Sequence, residues 1–412
     1  MIRVVVAAAV VVAMVSVGSS PAARPKETPL HPYFTAVFST TSYSPETVAT
    51  LKVITPVHDL DLQVLRAGAE RAWSSVGKPW GPVQHIRFRR LGANVVRVRL
   101  GAWASGLYFA RLTTTTTGDK ATFAPFILRP DVWGRSRVAV VLPTYSWQAY
   151  NFFDVAKDGH GDSWYVDHRR QHVQLGRPFL TQGKPPHYRT QQRGFLRFLV
   201  HSGHQADYIS DEDLEKVATG DELAQRYDLV IFSGHEEYVT QHIYDVTQRY
   251  RDLGGNLAFL SADNFFWRVD RDRLNRIWRV KLWRDLGRPE AALIGVQYSG
   301  NDRGGHAQPY VLQNRETAPW LFDGLDIPDG ATLGTVKYGI EFDKMAPESP
   351  PGTEVLASVD PGLKGGAVIG QMTYYELNGA RVFAAGTLGF GGSDNPLATV
   401  LFRNLWNRLV VP

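Results

Sequence analysis

The side chains best suited to chemistry in this sequence lie in three segments, each following a short apolar run. Imidazole, carboxylate, amide and phenol groups occur there together: Tyr145, Tyr150, Asn151, His235, Glu236, Glu237, Tyr238, Asp263 and Asn264. Such groups in one crevice can bind a metal ion or exchange protons with a substrate. Either chemistry requires a fold that brings the three segments together.

The three apolar runs are predicted to be neighbouring strands of one sheet. They span residues 137–142, 228–233 and 256–261. Between the second and third runs, apolar residues recur at helical spacing over 243–253, and Gly254 follows as a C-terminal cap. Strand, helix and strand in this order form a βαβ unit with parallel strands. The polar segments should therefore leave the sheet at its carboxyl edge, where open α/β sheets bind ligands.

A structural role competes with the chemical one at the two acidic residues. Glu236 and Glu237 could begin the helix that follows, because carboxylates are stabilised near the positive end of a helix. The His-x-Glu spacing leaves both alternatives open, and Glu236 is the better candidate for the helix start. Other familiar sites are not indicated, since the sequence has no Gly-x-Ser-x-Gly elbow, no Gly-x-Gly-x-x-Gly after a strand and no His-Glu-x-x-His pair.

The composition indicates a globular protein without a nucleic-acid surface. Hydrophobic residues make up 44% of the 412 positions and charged residues 21%, which excludes a disordered chain. The 45 Lys and Arg against 40 Asp and Glu give a net charge of +5, without the basic stripe that nucleic acid requires. The absence of cysteine excludes disulfides and a thiolate nucleophile. The hydrophobic core must therefore stabilise the fold.

Residues 1–24 have the layout of a secretory signal peptide. Arg3 precedes an uncharged apolar run over 4–17, and small residues follow it. This run is shorter than the ~20 apolar residues that cross a bilayer as a helix. We therefore predict export to a secreted or extracytoplasmic location through a cleaved signal. An uncleaved N-terminal anchor is the alternative.

Two domains are predicted after the signal. In residues 30–129, alternating segments at 60–65, 95–100 and 106–112 are separated by Gly, Pro and Ser, which is typical of an immunoglobulin-like β-sandwich. In residues 130–412, strands alternate with helices, which indicates an α/β domain with a mainly parallel sheet. All of the chemistry-bearing segments belong to this second domain.

Five segments together resemble one known family. They are 143–151 (PTYSWQAYN), 233–238 (SGHEEY), 260–268 (LSADNFFWR), 339–343 (GIEFD) and 382–388 (VFAAGTL). In this order they are similar to the large (beta) subunit of N,N-dimethylformamidase over 130–412, and the preceding β domain also has a counterpart in that family. The resemblance implies a glutamine-amidotransferase-like α/β domain without a thiol mechanism, in agreement with the absence of cysteine.

The resemblance also implies a mononuclear iron, bound by two tyrosines and one glutamate. The matching positions are Tyr150, Tyr165 and Glu237. Phenolates and a carboxylate are hard oxygen ligands that suit ferric iron, and such an ion polarises a carbonyl and acidifies water. The alternative for both tyrosines is a role as core or rim aromatic residues.

Three further positions match catalytic residues of the family. The resemblance places the catalytic carboxylate at Glu341, an imidazole beside the metal at His235 and a polar amide at Asn264, where they could move protons or stabilise an oxyanion. A strand-edge ion pair is the alternative role of Glu341.

The predicted function is therefore a secreted, iron-dependent hydrolase of an amide C–N bond. Its substrate would be a small-molecule amide or a compound derived from the cell envelope. The family implies a small partner subunit, and the sequence leaves this subunit and a homo-oligomer open. The alternative function is a secreted, non-catalytic binding or scaffold protein that retains the fold without metal and binds glycan or protein.

Overall fold

The structure is a computed structural model that describes residues 34–69, 83–88, 94–117, 121–166 and 170–410. The predicted signal peptide and the first residues of the predicted β domain lie outside these ranges. Sheets dominate the described chain, and helices are few. None of the described helices is both long enough and apolar enough to cross a membrane.

A β-sandwich forms the N-terminal part of the described chain. Its strands are β1 (Ala36–Phe38), β2 (Ser42–Tyr43), β3 (Val48–Val53), β4 (Leu60–Arg66), β5 (Gln84–Phe88), β6 (Val95–Arg99), β7 (Gly106–Thr113) and β8 (Thr122–Leu128). One sheet has the order β1-β3-β6 and the other β2-β8-β7-β4-β5. Leu51 and Val98 from the first sheet share a buried core with Leu62 from the second. The alternation in the sequence arises because β4 and β6 turn every second residue towards this core.

The five-stranded sheet of the sandwich also packs against the C-terminal part. Leu107 and Phe109 on β7 belong to a second buried cluster, which includes Trp147 and Phe179. Because both faces of this sheet are covered, β7 is buried at nearly every position instead of at alternate ones. The two parts of the chain are thus joined by an apolar core.

An eight-stranded mixed sheet forms the centre of the C-terminal part. The strands after the sandwich are β9 (Val138–Leu142), β10 (His172–Gln174), β11 (Asp207–Ser210), β12 (Leu229–Phe232), β13 (Tyr238–Val239), β14 (Asn256–Phe259), β15 (Trp267–Arg271), β16 (Arg276–Leu282), β17 (Gln297–Asn301), β18 (Val311–Leu312), β19 (Glu341–Lys344), β20 (Glu354–Val359), β21 (Gly370–Leu377) and β22 (Ala380–Ala384). The sheet order is β11-β9-β12-β14-β22-β21-β20-β18. The first five strands are parallel, and the last three are added antiparallel. The parallel pairing of β9, β12 and β14 is as predicted, whereas the sheet as a whole is mixed.

Short helices and two small sheets connect these strands. The helices are α1 (Thr144–Ala149), α2 (Tyr188–Gln191), α3 (Arg193–His201), α4 (Asp211–Leu214), α5 (Gly220–Arg226), α6 (Gln241–Asp252), α7 (Ala291–Ile294) and α8 (Pro396–Leu409). The small sheets have the orders β10-β16-β15-β13 and β17-β19. Helix α6 ends as predicted before Gly254, whose φ of 93° is a conformation that glycine adopts without a steric penalty.

The strand order opens a crevice at the carboxyl ends of β9 and β12. From β9 the chain moves to β11 on one side, and then returns to β12 on the other side of β9. The connections that follow β9 and β12 therefore leave in opposite directions. A crevice forms at such a reversal, and ligands of open α/β sheets bind there.

Candidate metal and catalytic site

Glu237 lies at the centre of a buried group of phenol and imidazole side chains. Its Oε2 accepts hydrogen bonds from the hydroxyls of Tyr150 at 2.7 Å and Tyr165 at 3.0 Å. The same oxygen lies 3.1 Å from Nε2 of His235. The rings of Tyr150 and Tyr165 are stacked, with centroids 4.4 Å apart. The structure therefore brings together the three residues predicted as metal ligands, although Tyr150 and Glu237 are 87 residues apart in the chain.

Short hydrogen-bonded connections position the two tyrosines. Tyr150 directly follows α1, so the six residues of this helix carry it from the end of β9 to the crevice. Ser163 Oγ donates to the carbonyl of Ala149 at 2.7 Å and accepts from the backbone N–H of Tyr165 at 3.1 Å. These two bonds fold the intervening loop back onto the end of α1. Tyr165 therefore reaches Glu237 beside Tyr150.

Glu236 and Glu237 do not begin a helix. Both precede strand β13, which pairs with β15. Helix α6 begins only at Gln241, where Oγ1 of Thr240 accepts a hydrogen bond from the backbone N–H of Ile243 at 3.2 Å. The prediction that Glu236 stands at a helix start is wrong, because a two-residue strand separates the acids from the helix and a threonine caps it.

His235 is held between a backbone carbonyl and two carboxylates. Its Nδ1 lies 2.9 Å from the carbonyl oxygen of Ala262, which can only accept, so Nδ1 carries a proton. Its Nε2 faces Glu237 at 3.1 Å and Oε2 of Glu341 at 3.5 Å. Burial alone would lower the pKa of His235, but the charges of Glu341 and Glu237 outweigh it and raise the pKa to about 9.

Glu341 begins strand β19 and completes the set of predicted catalytic residues around His235. Burial raises the pKa of Glu341 to about 7, against the opposing charge of His235. Apart from the contact with His235, its Oε2 has no hydrogen-bond partner among the described residues. This oxygen is therefore free to accept a proton from another molecule.

The segment after β14 contributes Asn264 and Asp263. The Oδ1 of Asn264 accepts from the backbone N–H of Glu236 at 3.0 Å. Its Nδ2 is buried and has no hydrogen-bond partner within the described part of the chain. Asp263 has a φ of 52°, and its backbone N–H donates to both oxygens of Asp343 at 2.8 and 2.9 Å. A buried amide donor without a partner is uncommon and indicates a position for a ligand or a water.

The sequence predicts no specific role for three further groups of the site, although Tyr238 and Asp263 are among the candidate side chains at the strand ends. Asp263 forms a group with His235 and Glu237 in which the potential ligand atoms lie within 4.8 Å of one another. The Tyr238 hydroxyl lies 2.6 Å from the hydroxyl of Tyr165. Asp343 is also buried, and burial raises its pKa to about 7. A signal existed for each: the first two lie in the strand-end segments, and Asp343 lies two residues after Glu341, on the same face of a strand.

The chemistry of these groups fits a hard cation. Burial, together with the charge of Glu237, raises the pKa of Tyr150 and of Tyr165 well above the usual value. Burial and the same carboxylate also raise the pKa of Asp263. Phenols in such surroundings ionise only when a cation replaces their protons, and phenolate and carboxylate oxygens are ligands that ferric iron prefers. The three predicted ligands therefore suit the implied metal.

Behind the site, Glu236 and Asp211 form a pair of buried acids. The Oδ2 of Asp211 accepts hydrogen bonds from Oγ1 of Thr144 at 2.9 Å and from the backbone N–H of Tyr145 at 2.7 Å. Burial raises the pKa of Glu236 well above its usual value, and the charge of Asp211 adds to this effect. Burial likewise raises the pKa of Asp211 to about 7. Ionisation of this pair opposes folding.

We expect Glu236→Gln to stabilise the protein near pH 8. The unfolded chain ionises Glu236 at a pKa of about 4.3, whereas the folded chain keeps it protonated to a higher pH. Stability is therefore lost as the pH rises above the unfolded pKa, and a neutral glutamine avoids this loss. The melting temperature should rise by about 2–4 °C near pH 8 and by less near pH 5. Thermal denaturation followed by circular dichroism measures both values.

The exposed Glu348 provides the control, since Glu348→Gln makes the same chemical change at the protein surface. A lower melting temperature of Glu236→Gln near pH 8 would instead mean that the carboxylate stabilises the fold.

The chain thus has two parts, a β-sandwich and a part built on a mixed sheet. A cluster of buried oxygen donors lies at the edge of the mixed sheet. A family model described as N,N-dimethylformamidase beta subunit-like, C-terminal, matches residues 95–395. The chain belongs to this family, since the match covers most of its length. The resemblance of the five sequence segments is thereby confirmed.

Two curated relatives are N,N-dimethylformamidase beta subunits. The chain is 26% identical to the one from Alcaligenes sp over 277 residues, which are 52% of this chain and 36% of the relative. It is 26% identical to the one from Paracoccus aminophilus over 304 residues, which are 57% of this chain and 38% of the relative. The matched region thus spans less than half the length of either relative.

A solved structure with similarity to part of the chain is a DUF3244 family protein from Bacteroides vulgatus, described as an immunoglobulin-like β-sandwich. It is 15% identical, covers 20% of this chain and 75% of its own, and has a TM-score of 0.15. A TM-score this low supports no inference about the fold, so the description of the sandwich depends on its own strand pairing.

Proposed function

We propose that this chain is a metal-dependent hydrolase of an amide C–N bond. The observation that carries the proposal is the convergence of Tyr150, Tyr165 and Glu237 at the crevice of the sheet. Membership of the N,N-dimethylformamidase beta subunit-like family supports it, because the relatives bear the name of an amide hydrolase.

Tyr150, Tyr165 and Glu237 would hold a mononuclear ferric iron. All three are oxygen donors, and the two hydroxyls already converge on one carboxylate oxygen. When bound, the ion supplies a Lewis acid for an amide carbonyl and for water. The surrounding acids favour a cation at this position, and its charge would offset the cost of ionising the two buried tyrosines.

Three other residues would move protons and hold the carbonyl oxygen. Water adds to the carbonyl carbon while one of its protons passes to the free Oε2 of Glu341. Nε2 of His235, oriented by the Nδ1 contact with Ala262, lies beside this oxygen and can relay the proton to the leaving nitrogen as the C–N bond breaks. The unpaired Nδ2 of Asn264 can donate to the carbonyl oxygen as negative charge develops. The products are a carboxylic acid and an amine.

The first test of this function is metal binding by the purified full-length chain. We expect about one ferric ion per chain after reconstitution, and a visible absorption band from phenolate-to-iron charge transfer. Tyr150→Phe should remove or shift the band, because it deletes one phenolate ligand. Elemental analysis and absorption spectroscopy measure both quantities, and release of amine from an amide measures the activity.

Tyr43→Phe, in the sandwich, is the matched control and should keep the band. A colourless protein that is free of metal after reconstitution would contradict the proposal. That result would favour the metal-free binding protein.

Export through residues 1–24 and a glutamine-amidotransferase-like character of the α/β part belong to the same proposal. The charge-free run over 4–17 supports export, and the five parallel strands support the fold assignment. The relatives are beta subunits, which supports a small partner subunit over a homo-oligomer.

N-terminal sequencing of protein from the culture medium tests export, and a cell-retained chain that still begins at Met1 would contradict it.

A further inference from the structure

A cleft of about 470 Å³ opens beside the candidate site. Two residues belong to both the cleft and the surroundings of the site. The ring of His187 lies edge-on to the ring of Tyr150, with centroids 5.8 Å apart. Ile340 lines the cleft and directly precedes Glu341. The cleft therefore lies next to the site, and its size falls in the range of roughly 300–1,000 Å³ that holds drug-sized ligands.

Ile340 presents an apolar side chain to this cleft from a strained backbone. Its φ is 76°, which is rare for a β-branched residue, and its side chain is 45% exposed. Asp302 enforces this conformation: its Oδ1 accepts from the backbone N–H of Ile340 at 2.7 Å, and its own N–H donates to the Ile340 carbonyl at 2.9 Å. Backbone strain of this kind costs on the order of 1–3 kcal/mol and concentrates at ligand sites. The hydrogen bonds with Asp302 thus hold the apolar side chain of Ile340 in the cleft despite the free-energy cost of this backbone conformation.

The rest of the lining contains apolar and positively charged groups, together with polar residues such as Thr190 and Asn395. Val336, Tyr338 and Leu388 continue the apolar surface of Ile340. The exposed side chain of Lys337 adds a positive charge. The carboxylate of Asp394 also lines the cleft, but it is paired with Arg197 at 2.9 Å and adds little negative potential. A ligand that matches this lining has an apolar group and an anionic group.

We propose that the cleft binds the substituents of the substrate amide, and that the substrate class is the N-acyl amino acids. This inference rests on the proposed function, because the scissile amide is placed at the site around Glu237. The apolar acyl group would contact Ile340, and the carboxylate would lie near Lys337. Hydrolysis would add water across the C–N bond and release a carboxylic acid and an amino acid. A small formamide would leave most of the cleft filled with water.

Binding and hydrolysis are tested separately with three compounds. N-benzoylglycine has both groups, N-benzoylglycinamide lacks the charge, and N,N-dimethylformamide lacks both. Calorimetric titration into Glu341→Gln measures binding without turnover, and amine release by the wild-type protein measures hydrolysis. We expect N-benzoylglycine to bind several-fold more tightly than N-benzoylglycinamide, and to have a higher kcat/KM than N,N-dimethylformamide.

Two second-site variants locate the ligand. Added to Glu341→Gln, Lys337→Gln should weaken binding of N-benzoylglycine about three- to fivefold, as expected for a partly exposed ion pair. Ile340→Gly should weaken binding of both benzoyl compounds about tenfold, by removing apolar contact. Glycine adopts the φ of this position without strain, so the fold is retained. The exposed residues Lys52 and Leu274, far from the cleft in the sequence, provide the controls Lys52→Gln and Leu274→Gly.

The outcomes separate the two proposals. If N,N-dimethylformamide is hydrolysed but N-benzoylglycine is neither bound nor hydrolysed, the amide hydrolase stands and the substrate class is wrong. If N-benzoylglycine binds in a manner that depends on Lys337 and Ile340 but no amide is hydrolysed, the proposed function is wrong and the ligand class of the cleft stands. Affinities that are unchanged in both variants would overturn the assignment of the cleft.

Discussion

Glu237→Gln is expected to abolish metal binding and amide hydrolysis together. Tyr150 and Tyr165 both direct their hydroxyls to Oε2 of this carboxylate, so Glu237 is the shared centre of the proposed ligand set. Glutamine has nearly the same shape but no negative charge, and its amide nitrogen cannot bind a cation. Loss of groups that only support a ligand costs about 10–100-fold in metal affinity or activity. Loss of the ligand itself should exceed 100-fold in iron affinity, measured by competition with a chelator.

Glu236→Gln is the matched control for this experiment. It makes the same chemical change at the neighbouring residue, whose carboxyl group interacts with Asp211 and forms no hydrogen bond with the two tyrosines among the described residues. We expect this variant to retain iron and the visible absorption band. If Glu237→Gln keeps iron, the band and the activity, and changes only the melting temperature, then Glu237 is a structural residue and the proposed site is wrong.

Glu341→Gln is expected to lower kcat by about 10²–10⁴-fold while iron content stays unchanged. The carboxylate lies 3.5 Å from Nε2 of His235, but among the described residues it forms no hydrogen bond with the hydroxyl of Tyr150 or Tyr165. It would therefore accept the proton of water without binding the metal. Glutamine cannot accept this proton, although it fits the same space. Steady-state kinetics of amine release, combined with elemental analysis of the same preparation, measures the two effects.

Glu354→Gln, at an exposed position on β20, controls for the loss of one negative charge. Loss of iron in Glu341→Gln would place Glu341 among the metal ligands instead of the proton-transfer groups. A kcat within tenfold of the wild type would exclude it as the general base.

The resemblance of five segments identified the three oxygen donors that meet in the structure, but local patterns explain only part of their arrangement. The runs that became β9, β12 and β14 are continuous and apolar because parallel strands are covered on both faces. This pattern is local, and it predicts that the polar segments leave the sheet at one edge. The predicted helix start at Glu236 is wrong because the residues that follow it form β13, which pairs with β15. These two strands are separated in the chain, and no local pattern indicates their pairing.

Local sequence patterns also do not explain how Tyr165 and Glu341 reach the site. Tyr165 reaches the crevice through the hydrogen bonds of Ser163, and the loop sequence does not indicate them. Glu341 reaches His235 because β19 pairs with β17, which is a contact between segments on either side of a long irregular stretch. Asp302 enforces the conformation of Ile340 in the same way, through contacts that depend on the folded backbone.

The family, the apolar runs of the parallel strands and the kinds of ligand atoms that the crevice offers can all be read from the amino-acid sequence. These properties reside in short segments, where burial, glycine positions and side-chain chemistry can be recognised without distant partners. Tertiary contacts determine which phenols and which imidazole meet at one carboxylate oxygen, which acids are buried together behind them and where the cleft lies relative to the site. These features depend on strand pairing and hydrogen bonds between distant parts of the chain. Such contacts form, and stabilise the protein, only when the core has formed.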